Sequence, residues 1–529
     1  MIHLLHASLQ RSTERYPDRV ALRYQGNSMT YADLHRRSAQ LAHLLRDAGI
    51  QRGDRVGLFM MRNFETVIAI YGVMMAGAAY VPIDPQSPQK RLTHIVNSCA
   101  IKAILTQPDK ASVITTSLPQ MPTLTLVVGI PPQTDMDIQH YEWTMLEQLP
   151  DTVPAIHMTD QDLAYIIFTS GSTGQPKGIT HTHLSGMSYN RIMASLCSIT
   201  PDDRSANTTP SHFDISTFDY LTMIYCGASL VLVPEMVPAF PASLSKLLQD
   251  ERASLWFTTP FSLSQLVLRG VIDQRDLSAL RWILFGGEPM TVKHLRDLMT
   301  QLPDTRFTNI YGPAETNAAT YYHVPPPQDW SEDFITVPIG SFMNNSDGLV
   351  LNEADEVVEI GEVGELVVRS STVMRGYWNR PDLNERAFYR RQIVSGYEHT
   401  YYRTGDLVRL RADGLYDFIG RRDHQVKIRG FRVELAEVDR AMTAHPTVEA
   451  SCAYVMHLDD HDELHAAVKP QTDDAQAITT NELLAYLRQQ LPHYAVPTKI
   501  HFVDALPLTS TGKINRRVVQ AQAAQHMNE

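Results

Sequence analysis

Apolar and polar residues alternate along the first 160 positions with two different periods. Beyond Leu34, apolar residues recur at helical spacing as far as Leu45, which predicts a helix that ends at Gly49. Residues 56–60 and 78–84 are short apolar runs typical of buried strands, and residues 64–75 between them have the period of an amphipathic helix. This alternation of strands and helices predicts an α/β sheet. Over residues 107–160 the pattern weakens, and no role is predicted for them.

The apolar run 165–168 is followed by ten residues rich in glycine and hydroxyl groups. A buried strand that ends in such a turn can direct main-chain N–H groups, hydroxyls and a lysine towards a polyphosphate. The candidate residues are Thr169, Ser170, Gly171, Ser172, Thr173, Gly174 and Lys177. Their spacing fits neither the Walker loop nor the Rossmann fingerprint. A flexible surface loop would explain the glycines and serines, but not the strand before them or the Pro-Lys-Gly that follows.

Two more predicted strands, residues 282–285 and 307–310, also run into glycine turns, at 286–288 and 311–316. In open α/β sheets, ligands bind where parallel strands end. A type I turn would explain Gly312-Pro313 equally well, but not the Glu-Thr that follows. These turns are therefore further candidates for a binding site.

Composition narrows the class of protein. The chain has 529 residues, of which 43% are hydrophobic and 20% charged, and this is typical of an ordinary globular protein with two or more domains. Its formal net charge of −12 argues against nucleic-acid or anionic-membrane binding. No run approaches the roughly 18 uninterrupted apolar residues of a membrane span. We expect small ligands, no nucleic acid and no membrane.

The cysteines and histidines do not suggest a metal site. Four dispersed cysteines without a C-x-x-C pair predict reduced core residues in a cytoplasmic protein, and no signal peptide is recognised at the N-terminus. His181 and His183 stand two residues apart, a spacing that suits one face of a strand. No third ligand is nearby, so packing or surface roles are favoured.

Five segments occur in a fixed order: the loop at 165–178, Tyr-Gly-Pro-Ala-Glu-Thr at 311–316, Thr-Gly-Asp at 404–406, the charged stretch 420–430 and Leu-Thr-Ser-Thr-Gly-Lys-Ile at 508–514. Together they resemble the motifs of the adenylate-forming enzymes, the superfamily of acyl-CoA synthetases, luciferases and peptide-synthetase adenylation domains. The resemblance covers nearly the whole chain. It implies an α/β fold with a large N-terminal domain of packed α/β sheets (1–422) and a small α+β C-terminal lid domain (423–529).

The same resemblance implies how ATP and Mg²⁺ would bind. Besides the phosphate loop, the implied ATP contacts are Gly287, Glu288, Asn309, Tyr311, Gly312, Asp406 and Arg421. Glu315 would hold Mg²⁺, Thr316 would approach the α-phosphate, and Lys513 would reach the reacting groups. Asp423 would be the hinge of the lid, with Gly430 close to it. Alone, the charged stretch could equally be a surface hairpin, and Asp406 an ordinary turn residue.

The segment Phe213-Asp214-Ile215-Ser216 resembles the one with which amino-acid-activating domains bind the substrate's ammonium group. Asp214 would then pair with that group, although by itself it could be a helix N-cap. The implied side-chain pocket consists of Ile215, Phe218, Thr258, Leu284, Gly286, Ile310, Ala318 and Ala319, with Lys513 at the carboxylate. No second charge lines it, so a compact apolar substrate is expected.

The resemblance thus implies a freestanding enzyme that converts an amino acid to its adenylate and loads it onto the phosphopantetheine thiol of a separate carrier protein. L-proline is the substrate predicted first, with alanine (L or D) or valine as alternatives. A carboxylic acid:CoA ligase and a non-enzymatic nucleotide-binding relative remain as other classes. The ligase would not need Asp214, and the presence of both Glu315 and Lys513 disfavours the non-enzymatic relative. The residues after Lys513 offer no serine for a fused carrier.

Overall fold

Most of the chain has a defined conformation. A computed structural model describes residues 2–131, 138–170, 176–332, 334–423, 425–458, 461–471, 479–508 and 514–527. The chain forms two compact units. The first comprises 1–85, 96–168 and 178–422, and the second comprises 86–95, 169–177 and 423–529. Since two short segments of the first predicted range cluster with the second unit, the division into domains 1–422 and 423–529 stays a prediction.

The largest sheet of the first unit has nine strands. Its order is Ser341–Phe342, Thr320–His323, Arg306–Tyr311, Trp282–Gly286, Leu255–Thr258, Arg204–Asn207, Ser229–Leu232, Val20–Tyr24 and Asn27–Thr30. The central strands are parallel, and antiparallel pairs close both edges. Most of the central strands are rich in apolar residues, as expected when both faces of a parallel sheet are covered, whereas Arg204–Asn207 is largely polar although three of its four residues are buried. Their carboxyl ends therefore lie along one edge.

The second sheet of this unit has eight strands. Its order is Gly376–Tyr377, Lys177–Thr182, Leu163–Thr169, Ala79–Pro82, Arg55–Phe59, Ala103–Thr106, Leu126–Val128 and Gln139–Tyr141. The strands predicted at 56–60 and 78–84 are both present. Residues 126–128 and 139–141, within the stretch of weak pattern, complete its edge by parallel pairing. The periodicity of strands this short is too weak to predict them.

A five-stranded antiparallel sheet completes the first unit. Ser346–Leu351, Val363–Ser370, Tyr397–Leu410 and Phe388–Val394 follow in that order, and Tyr416–Arg421 also pairs with Tyr397–Leu410. The second unit contains the hairpin Gln425–Ile428 and Phe431–Glu434, and a sheet of Val448–His457, Asp462–Pro470 and Lys499–Phe502. The α/β class with several packed sheets in the large unit and an α+β small unit is confirmed.

Several helices begin where a polar side chain accepts from one of their first N–H groups. Thr30 accepts from the Asp33 N–H at 3.1 Å, and Asn63 accepts from the Thr66 N–H at 3.0 Å. The predicted stop at Gly49 has φ +87°, a conformation that glycine adopts readily. The α-helices are His6–Arg15, Tyr31–Asp47, Phe64–Met75, Gln89–Ser98, Ala111–Ser117, His183–Leu196, Ile224–Cys226, Pro241–Asp250, Pro260–Arg269, Val292–Gln301, Pro381–Ala387, Leu435–Thr443, Thr480–Leu487 and Arg516–Met527.

The chain also contains a π-helix and several 3₁₀ turns. One π-helix spans Phe218–Met223. The 3₁₀ turns are Pro108–Lys110, Leu118–Gln120, Trp143–Gln148, Val237–Ala239, Ile272–Gln274, Pro327–Asp329 and His493–Ala495. In the described part of the chain, no helix combines the length and apolar character that crossing a bilayer requires.

Candidate active site

The carboxyl ends of three neighbouring parallel strands bring predicted pocket residues together. Gly286 pairs with Ile310, and Thr258 pairs with Phe285 on the next strand. A side chain at Gly286 would force the neighbouring strand end to move, since a Cβ there would lie 2.1 Å from the Ile310 carbonyl oxygen. At Gly287, where φ is +100°, a Cβ would meet only the Ile215 side chain, at 4.0 Å. The two glycines therefore keep this sheet edge open towards Ile215.

An apolar cluster surrounds this edge. Phe218, Leu284, Ile310 and Ala318 are buried in it, with Ile215 packed alongside, and Ala319 belongs to the neighbouring cluster. Phe218 contacts Phe257 edge-to-face, with 5.6 Å between ring centroids. Thr258 is 2% exposed. The structure thus brings these residues from separate segments of the chain into two neighbouring apolar clusters, while their role as a substrate pocket stays a prediction.

Asp214 lies in a hydrogen-bonded turn beside this cluster. The Thr217 N–H and hydroxyl both donate to the Asp214 main-chain oxygen, at 3.0 and 2.7 Å. The Asp214 carboxylate accepts from the N–H of Ile215 at 3.0 Å. Burial raises the pKa of both Tyr165 and Tyr189, and the negative charge of Asp214 raises it further. The carboxylate therefore lies near both phenols.

The second group of predicted residues forms around Asp406. Tyr311 donates its hydroxyl to Asp406 Oδ2 at 2.5 Å, and Arg421 Nη1 lies 2.6 Å from Oδ1. Asp406 and Arg421 face each other on paired antiparallel strands. Burial and then the Asp406 charge raise the pKa of Tyr311 well above its usual value. A carboxylate with one oxygen held from each side is well oriented to accept from two neighbouring hydroxyls.

The turn after Tyr311 is tightly packed. A Cβ at Gly312 would lie 2.8 Å from the Ala318 Cα. Glu315 and Thr316 are both completely buried. Glu315 accepts from the Tyr377 hydroxyl at 2.7 Å, and the Thr316 hydroxyl donates to the Pro313 carbonyl oxygen at 3.0 Å. Packing and side-chain hydrogen bonds thus both hold this turn.

The sequence patterns of a known family match most of the chain. The pattern of the AMP-binding enzyme matches residues 9–378, and that of the AMP-binding enzyme C-terminal domain matches residues 437–513. The chain belongs to the AMP-binding enzymes.

Individual proteins similar to this AMP-binding enzyme include carrier-protein ligases, peptide synthetases and adenylation domains. The L-proline--[L-prolyl-carrier protein] ligase of Pseudomonas fluorescens is 31% identical, over 98% of this chain and 99% of that protein. Bacitracin synthase 1 of Bacillus licheniformis is 33% identical over 97% of this chain, which spans only 9% of that protein. The adenylation domain AlmE of Vibrio cholerae, in complex with glycyl-adenosine-5'-phosphate, has the same fold, with a TM-score of 0.85 at 22% identity over 99% of this chain and 98% of that one.

Several predicted ATP contacts have structural partners in this AMP-binding enzyme. Glu288 accepts from the Phe261 N–H at 2.8 Å, at the start of the helix Pro260–Arg269. Asn309 donates to the Pro338 carbonyl oxygen at 2.9 Å. Thr169 and Lys177 are the ends of two neighbouring strands, on either side of the phosphate loop. Their contacts with ATP stay predictions.

Part of the predicted site lies outside the described residues, namely Gly171, Ser172, Thr173, Gly174 and Lys513. Ser170 is described, and its hydroxyl donates to the Arg432 carbonyl oxygen at 2.8 Å within the second unit. The Asp423 carboxylate accepts from the Gln425 N–H at 3.2 Å.

Gly430 has a local structural role. Arg429 and Gly430 have φ +54° and +84° and connect the two strands of a hairpin. This is the backbone of a type I′ turn, which favours glycine. The turn conformation by itself explains why glycine occupies position 430, whether or not this residue also serves a hinge. The predicted hinge role of Asp423 and Gly430 stays a prediction.

The two histidines near the phosphate loop are packing residues. His181 and His183 are both buried, and burial lowers the pKa of each to about 4. His183 does not continue the strand; it begins the helix His183–Leu196, which Thr182 caps. Among the described residues, no group of three or more His, Cys, Asp or Glu side chains is arranged to hold a metal ion.

Sequence reasoning missed the residues that support the 311–316 turn. The His181 ring lies 2.9 Å from the Ala314 carbonyl oxygen and stacks on Tyr165. Asn317, at φ +56°, accepts from the Tyr165 hydroxyl at 3.2 Å. Asparagine tolerates this left-handed conformation, so its position directly after the motif was a usable signal. Nothing in the sequence pointed to Tyr377.

Proposed function

We propose that this AMP-binding enzyme activates a small apolar amino acid, L-proline first, and loads it onto the phosphopantetheine thiol of a separate carrier protein. One observation carries the proposal: the Asp214 carboxylate lies in a turn beside a cluster of apolar and small residues. A carboxylate so placed can form a charge-assisted hydrogen bond with a substrate ammonium group. The ligase from Pseudomonas fluorescens, similar over its full length, is named for proline and its carrier protein.

The size and polarity of the pocket limit the substrate. Phe218, Leu284 and Ile310 fill it, and Gly286 admits no side chain of its own. A charged or amide side chain would lose its hydration without gaining a partner, which typically costs several kcal/mol. Alanine, in either L or D form, and valine are the alternatives. A missing methylene changes binding by only about 1–3 kcal/mol, so we expect some activity with these neighbours.

In the first reaction the substrate carboxylate attacks the α-phosphorus of ATP. A P–O bond forms to the carboxylate oxygen, the bond to the β-phosphate breaks, and pyrophosphate leaves. We assign ribose binding to Asp406, with Arg421 and Tyr311 holding its two oxygens. Tyr311 would also flank the adenine. Phosphoryl chemistry requires mainly positioning and charge stabilisation, which the phosphate loop, Thr316 and Lys513 would supply.

Mg²⁺ is the metal that we propose for this reaction. It usually binds through one or two carboxylates together with substrate phosphates, so a cage of several protein ligands is not required. Glu315 fits this role because its carboxylate is buried and oriented by the Tyr377 hydroxyl. Bound there, Mg²⁺ would neutralise charge that develops on the phosphate oxygens.

In the second reaction the carrier's thiol attacks the acyl carbon, and AMP leaves. We assign the C-terminal part of the chain, 423–529 with Asp423 as hinge, to a lid that serves both steps. A cytoplasmic location, expected from the dispersed cysteines, stays a prediction.

Exchange of radiolabelled pyrophosphate into ATP tests the proposal. We expect signal with proline, less with alanine or valine, and none with glutamate, lysine or phenylalanine. A preference for any of the last three would contradict the assigned pocket. Release of a soluble CoA thioester, with no dependence on Asp214, would favour the carboxylic acid:CoA ligase.

A further inference from the structure

A second carboxylate lies close to the substrate pocket. Asp219 follows Asp214 by five residues and belongs to the π-helix Phe218–Met223. Its relative exposure is 0%. π-helical turns occur frequently at functional sites, because the wider turn redirects side chains. A buried carboxylate in such a turn requires an explanation.

Two neutral donors on one strand bind this carboxylate. The Ser205 hydroxyl donates to Asp219 Oδ1 at 2.6 Å, and the Asn207 amide donates to Oδ2 at 2.9 Å. Asn207 in turn accepts from the Tyr220 hydroxyl at 2.9 Å. Asp219 and Tyr220 therefore connect the π-helix to the strand Arg204–Asn207 by hydrogen bonds.

The charge of this group is only partly compensated. Burial raises the pKa of Asp219 to about 7, while Ser205, Asn207 and the nearby Arg62 guanidinium act in the opposite direction. Arg62 is itself buried and donates to the Thr208 carbonyl oxygen at 2.6 Å. For stability alone, an apolar side chain of similar size would serve as well or better. The network is better suited to holding one conformation.

Asp219 fixes the position of Phe218, which we assign to the proposed substrate pocket. Phe218, the residue before it, is buried in the same apolar cluster as Leu284 and Ile310 and contacts the Phe257 ring. The Phe218 N–H donates to the Ile215 carbonyl oxygen at 3.1 Å, which closes the turn that begins at Asp214. A shift of the π-helix would therefore move both Phe218 and Asp214.

We propose that Asp219 is a positioning residue for the amino-acid substrate, which it orients through Phe218 and Asp214. The inference rests on the proposed function, since it assumes that Asp214 and Phe218 contact that substrate. It separates two roles in one segment: Asp214 binds the ligand, and Asp219 fixes the geometry of that binding. ATP, assigned to Tyr311 and Asp406, should not depend on Asp219.

The test measures KM for proline and for ATP in pyrophosphate exchange with Asp219→Asn. The substitution keeps the side-chain size, and its amide oxygen can still accept from Asn207, but its NH2 group then faces the Ser205 hydroxyl, which loses its acceptor at residue 219. We expect the proline KM to rise about tenfold, the effect of losing one hydrogen bond to a charged group, with the ATP KM unchanged within about twofold. Ser205→Ala removes the hydroxyl that donates to Asp219 and should raise the proline KM about threefold.

Asp203→Asn is the matched control, at the amino end of the same strand. Asp203 is also buried and accepts from Arg281 Nε at 2.8 Å and from the Ser254 hydroxyl at 2.7 Å. Its loss should lower the melting temperature and leave both KM values within about twofold.

Two results would overturn the inference. One is an unchanged proline KM in folded Asp219→Asn, or in Ser205→Ala if the first variant does not fold. The other is a parallel rise of both KM values that follows the loss of melting temperature, as for a purely structural residue. Absence of amino-acid-dependent exchange in the unsubstituted enzyme would instead contradict the proposed function, and this inference with it.

Discussion

The two ends of the strand Arg204–Asn207 each hold a buried aspartate, but in different ways. At the amino end, Asp203 accepts two hydrogen bonds from Arg281, both at 2.8 Å, and its pKa is lowered despite burial. Further along the strand, Asp219 accepts from the Ser205 hydroxyl and from the amide of Asn207 at the carboxyl end, and burial raises its pKa to about 7. The first arrangement favours the charged form and stabilises the sheet. The second disfavours the charged form of the carboxyl group, which lies beside the proposed substrate pocket.

The difference follows from the geometry of parallel sheets. Ligands bind at the carboxyl ends of the strands, so residues there are arranged for binding, while the amino ends are free to be arranged for stability. Substitutions at the carboxyl end should therefore reduce activity more than stability, and those at the amino end the reverse.

The largest effect is expected at the carboxyl end, for Asp214→Ala. If this carboxylate pairs with the ammonium group, its loss should reduce amino-acid-dependent pyrophosphate exchange by about a hundredfold or more, since a desolvated charge pair is broken. The melting temperature should change little. Unchanged exchange would remove Asp214 from the site and, with it, the assignment of an amino acid as substrate.

Gly286→Ala tests the same edge of the sheet by steric means. A Cβ at this position would lie 2.1 Å from the Ile310 carbonyl oxygen, so the two strand ends must move apart. Overpacking costs about 1–3 kcal/mol, and we expect kcat/KM for proline to fall about thirtyfold. Retention of full activity in this variant would show that the pocket tolerates movement at its edge.

Asp203→Asn should reduce stability more than activity, the opposite of the substitutions at the carboxyl end. It leaves Arg281 without its carboxylate, and we expect the free energy of unfolding to fall by about 1–3 kcal/mol, since Arg281 is partly exposed. Denaturant titration at neutral pH measures this loss. If Asp203→Asn lowered the activity per folded molecule as much as Asp219→Asn does, the two ends of the strand would not differ in function.

The last expected effect is a difference in how stability depends on pH. Between about pH 4 and 7, folded Asp219 holds a proton that the unfolded chain has released, so its contribution to stability falls as the pH rises. The unfolding free energy of the unsubstituted enzyme relative to Asp219→Asn should therefore decrease by at most about 1.4 kcal/mol per pH unit from 4.5 to 6.5.

Asp203 provides the control for this experiment. Because its folded pKa is lowered, the stability it contributes is complete above the unfolded value near 3.8 and is lost only at lower pH. The same comparison with Asp203→Asn should give a constant difference from pH 4.5 to 6.5. Equal slopes for the two variants would show that the two aspartates do not differ in protonation.

Long elements with strong periodicity were predicted well from the sequence. The helix at 64–75 has the predicted bounds, and the helix after Leu34 ends before Gly49. The strands of residues 126–128 and 139–141 were missed, because three residues show no period and their pairing depends on partners elsewhere in the chain. His183, expected on a strand, begins a helix because Thr182 caps it there.

The sequence by itself determined the family, the order of the motifs and the residue types of the pocket, because these depend on local chemistry: glycines for turns, and carboxylates for cations and hydroxyls. Only the tertiary structure decided how distant segments meet. It paired Asp406 with Arg421 and Tyr311, placed Tyr377 against Glu315, and fastened Asp219 to Ser205 and Asn207. Such contacts join residues many positions apart, and their energies depend on burial, which a linear pattern does not contain.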